Sequence, residues 1–334
     1  MVLEKFLLVK GKAGMGNRFL ALLDSILYAQ LTNRKIVVDW SDEVYSNNRS
    51  NVFPDFFNLH HVTQASEIPS TQSVYPSVWK NSLDKSVNEV LLSYESPDDL
   101  RYNNPKIWAK YTTNMSRIDY SEDILIRWSY VTETYKLRRH FVGDFAYLQS
   151  LSNETILKKI IREHLSLQPN IEAIIKKTVD SSFEDIVIGV HVRYTDRKTS
   201  KNLYLEFVDK ILEKHPKSLI FLATDNPEVE HLFREKYTNN NILVTDKWYP
   251  ASGSSLHQNP ECPDRFENGV QALIDIYLLS KCNYLIYNQT STFGVVAKLI
   301  SDIPEANTID TSQYSLKGKV KNLIAWLREK TVLS

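Results

Sequence analysis

The chain has 334 residues, more than twice the ~150 of a common domain, which favours two domains. Hydrophobic residues make up 43% and charged residues 24%, a globular composition that excludes a disordered or fibrous chain. Forty Lys and Arg balance forty Asp and Glu. The basic excess needed for bulk nucleic-acid or anionic-membrane binding is therefore missing, although one local basic pocket is still allowed.

The chain opens on Phe6-Leu7-Leu8-Val9, continuously apolar like a buried parallel strand. Gly11, Gly14 and Gly16 follow closely, then Phe19, Leu22, Leu23, Ile26, Leu27 and Leu31 at helical spacing, then the strand Lys35-Ile36-Val37-Val38-Asp39-Trp40. A β-loop-α-β unit of this kind implies a right-handed parallel crossover. From about 41 to 150 the pattern loosens, with short helical pieces expected near 121–137 and 144–150. Residues 153–181 read as one or two amphipathic helices with Pro169 at the boundary.

The second half is regular. Strands are expected over 186–193, 218–225, 241–245 and 284–288, alternating with helices over 201–215, 227–237, 269–281 and 291–301. That cadence predicts a doubly wound α/β domain. The expected division is an N-terminal Rossmann-like domain at 1–170, a second Rossmann domain at 171–312 and a C-terminal helix at 313–334. Two such domains facing each other across a cleft are the natural architecture.

Cys262 and Cys282 cannot by themselves build a disulfide framework or a zinc site, and read as unpaired thiols of a reducing compartment. The first nine residues are too short and too charged for a signal sequence, and no stretch approaches ~20 apolar residues. The expectation is a cytoplasmic protein without a transmembrane segment.

Several strand ends carry chemistry. The three glycines match neither a dinucleotide fingerprint nor a P-loop. They suit either a tight turn or a backbone that approaches an anion. His191 and Arg193 share one face at the carboxyl end of a strand, where ligands bind in open α/β sheets. Arg193 could clamp a diphosphate through its planar fork, or it could pair with a carboxylate. Asp225 and Asn226 end the next strand, and read as nucleoside contacts or as an ordinary helix cap. Ser291 and Thr292 could likewise cap a helix or hold a phosphate. Asp275 lies inside an apolar helix, where a carboxylate needs a partner, structural or functional. No Asp-x-Asp pair occurs, so cationic side chains rather than a metal held by such a pair would neutralise phosphates.

In this order, Gly14-Met15-Gly16-Asn17-Arg18, Gly189-Val190-His191-Val192-Arg193-Tyr194-Thr195-Asp196, Phe221-Leu222-Ala223-Thr224-Asp225-Asn226-Pro227 and the stretch from Gly269 through Ala297 resemble the nodulation and core-type α-1,6-fucosyltransferases. These are relatives of the α-1,2- and protein O-fucosyltransferases. The resemblance covers about 6–40 and 186–300. It implies two facing Rossmann-like domains (the GT-B glycosyltransferase type), GDP-fucose as donor, a glycan acceptor, inversion at the anomeric centre and no metal or other cofactor. It further implies that Arg193 contacts the diphosphate and assists its departure, that Asp196 anchors the arginine loop and that His191 supports the nucleotide. Asp225 and Asp275 would bind the guanosine, with Asn226 and Arg197 also on the donor, and Ser291 and Thr292 the phosphates. Asn17 and Arg18 would close the cleft from the other domain. Core-type enzymes carry Lys at the position of Arg197 and a second acidic residue at that of Asn226.

An α-1,2-fucosyltransferase, or a non-catalytic nucleotide- or glycan-binding module on the same fold, are the alternatives. Asp39, Asp42 and Glu43 are the candidates for a general base.

Overall fold

The computed structural model describes residues 4–101, 104–183, 185–195, 200–250, 259–314 and Ile324. The chain divides into two units. One contains Asn17–Ser166 together with the first strand, and the other starts at Leu167 and takes in Gly14–Gly16.

The first unit is built on β1 (Phe6–Lys10), β2 (Lys35–Asp39), β3 (Phe57–Leu59), β4 (Val74–Tyr75), β5 (Ile124–Trp128) and β6 (Leu165–Leu167). Its main sheet is parallel in the order β2-β1-β5-β4, while β3 and β6 form a separate pair. All five residues of β1 are buried, because a strand covered on both faces has no polar side. Its first helix, α1 (Met15–Leu31), buries Phe19, Leu22, Leu23, Ile26 and Leu27 completely or nearly so. Shorter helices follow: α2 (Phe53–Phe56), α3 (Val87–Leu92), α4 (Pro97–Arg101), α5 (Pro105–Ala109) and α6 (Thr134–Leu137), then the longer α7 (Asn153–His164).

One expectation fails in this unit. Where the sequence pattern suggested a helical piece, Ile124–Trp128 is a strand, paired in register with β1 from Phe6↔Ile124 to Lys10↔Trp128. A short apolar run fits helix and strand equally well by periodicity. Here burial between two strands decided it.

The second unit begins with α8 (Pro169–Ser182) and carries β7 (Val187–Val192), β8 (Leu219–Thr224), β9 (Ile242–Leu243), β10 (Tyr284–Tyr287) and β11 (Thr308–Asp310). The sheet order is β11-β10-β7-β8-β9, parallel throughout the pairs. Helices α9 (Lys201–Leu212), α10 (Pro227–Lys236), α11 (Arg265–Ser280) and α12 (Thr292–Ile300) connect the strands. Its core gathers Val190, Val192, Val208, Leu222, Val229 and Ile286, all fully buried. The α/β class with parallel sheets holds for both units. Most of the helix expected at 313–334 lies outside the described residues.

Candidate active site

In the second unit the polar residues collect at the carboxyl ends of β7, β8 and β10, the edge where open α/β sheets bind ligands. His191, on β7, is 6% exposed. Its ring stacks on Phe293, with centroids 4.8 Å apart and planes 14° from parallel. Gly294 permits that approach, since a Cβ there would lie 3.1 Å from His191 Nδ1 and 2.9 Å from Tyr287 Cβ. Burial first, then the charges of Arg193 and Lys247, push the imidazole down to about 3, so it is neutral at physiological pH. Its Nδ1 is buried and has no hydrogen-bond partner.

Arg193 leaves β7 half-buried. The residues after it are held by Asp225. The Tyr194 N–H donates to Asp225 Oδ1 at 2.7 Å, and the Thr195 hydroxyl donates to Oδ2 at 2.7 Å. Asn226 caps α10, accepting from the Glu228 and Val229 N–H groups at 2.8 and 3.3 Å. The capping alternative thus holds for Asn226, while its neighbour ties β8 to the arginine loop. Asp196 and Arg197 lie outside the described residues.

Asp275, 5% exposed on α11, accepts from the Thr245 hydroxyl at 2.5 Å and forms an ion pair with Lys247. Both partners of that pair are buried, which is the condition on which a carboxylate is tolerated on an apolar helix. Neither Thr245 nor Lys247 stood out in the sequence. The only signal was the demand of Asp275 for a partner, and nothing in the sequence said which residue would supply it.

The loop from β10 into α12 is fixed from behind. Asp310 Oδ1 accepts from the Gln289 N–H at 2.9 Å, and Asn288 Oδ1 accepts from the Thr290 N–H at 2.9 Å. Asn288 Nδ2 donates to the Thr311 hydroxyl at 3.1 Å. Sequence reasoning missed Asp310, which braces this loop and also accepts from the Ser312 N–H at 2.9 Å and the Ser312 hydroxyl at 2.7 Å. At its end Ser291 is the N-cap residue of α12 but makes no capping bond. Its hydroxyl is buried and unpartnered. Thr292 follows, half-buried, in the first turn. A helix N-terminus with a spare buried donor favours an anion.

In the first unit Arg18 is 1% exposed. Its Nη2 donates to Asp42 Oδ1 and Oδ2 at 2.7 and 2.6 Å, and its Nε donates to the Ala13 carbonyl at 2.8 Å. The guanidinium lies against Trp40 and Tyr45, 5.4 and 5.1 Å from the ring centroids. A Cβ at position 11 would lie 2.1 Å from Arg18 Nη1, so a larger residue there would have to displace the guanidinium. Arg18 therefore fastens the glycine loop to the segment after β2. Asn17 beside it is half-buried.

Each of the three candidates for a general base has a cationic partner. Asp42 has Arg18, Asp39 accepts from Lys10 Nζ at 2.7 Å, and the exposed Glu43 pairs with Arg49 at 2.9 Å. Burial alone would raise Asp39, but the Lys10 ammonium and Ser41 hold its carboxyl below the usual range. Among the described residues, no group of three or more His, Cys, Asp or Glu side chains could hold a metal ion. No described helix is long and apolar enough to cross a membrane.

The family profile for the alpha-(1,6)-fucosyltransferase N- and catalytic domains matches residues 153–308. Nodulation protein Z of Azorhizobium caulinodans is 24% identical over 311 residues, covering 85% of each chain. Fucosyltransferase NodZ from Bradyrhizobium superposes with a TM-score of 0.60 at 22% identity, covering 89% of this chain and 93% of that one. A mutant of Arabidopsis thaliana FUT1 in complex with GDP superposes with a TM-score of 0.57 at 16% identity, covering 91% and 72%. These structures share the fold, of the GT-B glycosyltransferase type. The profile match falls on the part of the chain that carries His191, Arg193, Asp275 and Ser291, and in that part the chain is similar to the fucosyltransferase family.

Proposed function

We propose that the protein is an inverting, metal-independent fucosyltransferase that moves L-fucose from GDP-fucose to a hydroxyl of a glycan acceptor, in α-1,6 linkage. One observation carries this reading. Ser291 Oγ and His191 Nδ1 are both buried and unpartnered, on two elements that meet where His191 stacks on Phe293. A buried hydroxyl left without a partner costs stability unless a ligand supplies one. The NodZ relative soaked with GDP-fucose supports a nucleotide sugar as that ligand.

In this reading residues 171–312 take the donor and residues 1–170 the acceptor. Ser291, Thr292 and the first-turn amides of α12 hold the diphosphate. Asp275 and Asp225 accept from the guanosine through the lone pairs their internal partners leave. Neutral His191 supports the nucleotide without adding charge. The acceptor oxygen attacks the anomeric carbon from the face opposite the diphosphate, and the bond from that carbon to the β-phosphate oxygen breaks. The acceptor proton goes to a base or to water. Arg193 stabilises the charge that develops on the departing phosphate, which is the part a metal plays elsewhere. The free thiols Cys262 and Cys282 support a reducing compartment such as the cytoplasm.

The test measures GDP release from GDP-fucose with and without glycan acceptors, in EDTA and after adding manganese. Acceptor-dependent release that is indifferent to EDTA is expected. Activity abolished by EDTA and restored by metal would overturn the metal-free mechanism. Equal thermal protection by GDP, ADP and UDP would overturn the guanosine assignment.

A further inference from the structure

At the carboxyl ends of β1 and β5 the first unit holds a cation that the reading above does not use. These two strands are parallel neighbours, and open α/β sheets bind ligands outside the carboxyl ends of their strands. Lys12 lies two residues beyond β1, half-buried. Its Nζ stands 3.7 Å from the Trp128 ring centroid, 4.2 Å from Trp108 and 4.8 Å from Tyr130. The Trp128 indole N–H donates to the Gly11 carbonyl at 3.1 Å, which locks the cage to the glycine loop. Trp108 and Tyr130 are half-buried, so the cage is open on one side.

Among the described residues no carboxylate pairs with Lys12. A second cation, Arg127, is close enough to act on it electrostatically. Arg127 is 1% exposed. Its Nη1 pairs with Glu133 at 2.8 Å, but its Nε and Nη2 are buried without a partner. Glu133 is shared with Lys136, and buried Asp24 is pushed up to about 6, mainly by burial. The surroundings therefore leave cationic charge over. Burial and Arg127 push the Lys12 ammonium down to about 7. That loss is what an anionic ligand would reverse.

We propose that this cage at the strand ends is a subsite for an anionic sugar, a carboxylate- or phosphate-bearing residue of the glycan, with its anion on Lys12 and Arg127 and its ring against Trp108 and Tyr130. The proposal rests on the acceptor being a glycan. Aromatic faces suit the apolar face of a sugar ring, and a guanidinium with a free N–H pair suits an oxyanion.

The experiment titrates glucuronic acid, glucose 6-phosphate and glucose into the full-length protein without donor, following tryptophan fluorescence and calorimetric heat. Glucuronic acid, glucose 6-phosphate or both should bind at least ~10-fold more tightly than glucose, and which of the two does so identifies the anion. Raising the salt concentration should erode that margin, because the attraction is ionic. Lys12→Met keeps the aliphatic stem inside the cage and should abolish the margin, while GDP binding in the same preparation stays unchanged. Equal binding of all three sugars by the wild type would overturn the proposal, whether or not the variant folds. So would a margin that survives in Lys12→Met. Because no donor is present, loss of fucosyl transfer would count against the reaction and not against this subsite.

Discussion

His191 lies flat on Phe293, with ring planes 14° apart and centroids 4.8 Å apart, and that stack joins the last turn of a strand to the first turn of a helix. The imidazole is pushed from 6.5 down to about 3 by burial, Arg193 and Lys247. A histidine with a lowered pKa is protonated in the unfolded chain before it is protonated in the native one. Its contribution to stability is intact above about pH 6.5 and falls as the pH drops toward 3, by about 1.4 kcal/mol per unit. His191→Asn should flatten that part of the stability profile, read from denaturant melts between pH 4 and 7.

Ser291 separates ligand binding from folding. Its hydroxyl has no partner inside the protein, so Ser291→Ala removes a buried unsatisfied group rather than a bond. The melting temperature should hold or rise slightly. GDP affinity should fall by about 1 kcal/mol or more, as expected for a hydrogen bond to a charged phosphate. Calorimetric titration with GDP alongside thermal melts gives both numbers. A variant that melts early would show that the hydroxyl serves the fold.

Arg193 should act on turnover. A guanidinium fixed at the leaving phosphate stabilises the transition state more than the ground state. Removing such a donor costs ~10²–10³ in kcat. Arg193→Ala and Arg193→Lys should both fold, bind GDP and lose most of kcat, because lysine keeps the charge but not the planar fork. Near wild-type kcat in the lysine variant would reduce the requirement to charge alone. Asp225→Ala frees the Tyr194 and Thr195 contacts and should lower kcat less than loss of the arginine itself.

The Lys247–Asp275 pair is buried on both sides, with 6% and 7% of the side chains exposed. Lys247→Met strands the carboxylate and should cost about 3–5 kcal/mol, the usual result of breaking a buried pair from one side. Adding Asp275→Asn should recover most of the stability while leaving GDP binding weak, because the neutral amide no longer offers two anionic acceptors. Urea midpoints for the single and double variants check this.

Much of the fold was legible because its signals are local. Continuous apolar runs marked β1, β7, β8 and β10, and the 3.6-residue spacing of Phe19, Leu22, Leu23 and Ile26 marked α1. Strand ends then pointed to His191, Arg193, Asp225 and Ser291, since side-chain alternation and helix starts are properties of neighbouring residues. Other features depended on which distant segments meet. Ile124–Trp128 became a strand only through its register on β1. Lys247 became the partner of Asp275 across 28 positions of sequence, and Asp310 became the brace of the β10–α12 loop. Trp108, Trp128 and Tyr130 became a cage only around Lys12. Periodicity reports which face of an element is apolar, but a buried charge is neutralised by whatever packing brings within a few ångströms, and only the tertiary structure decides that.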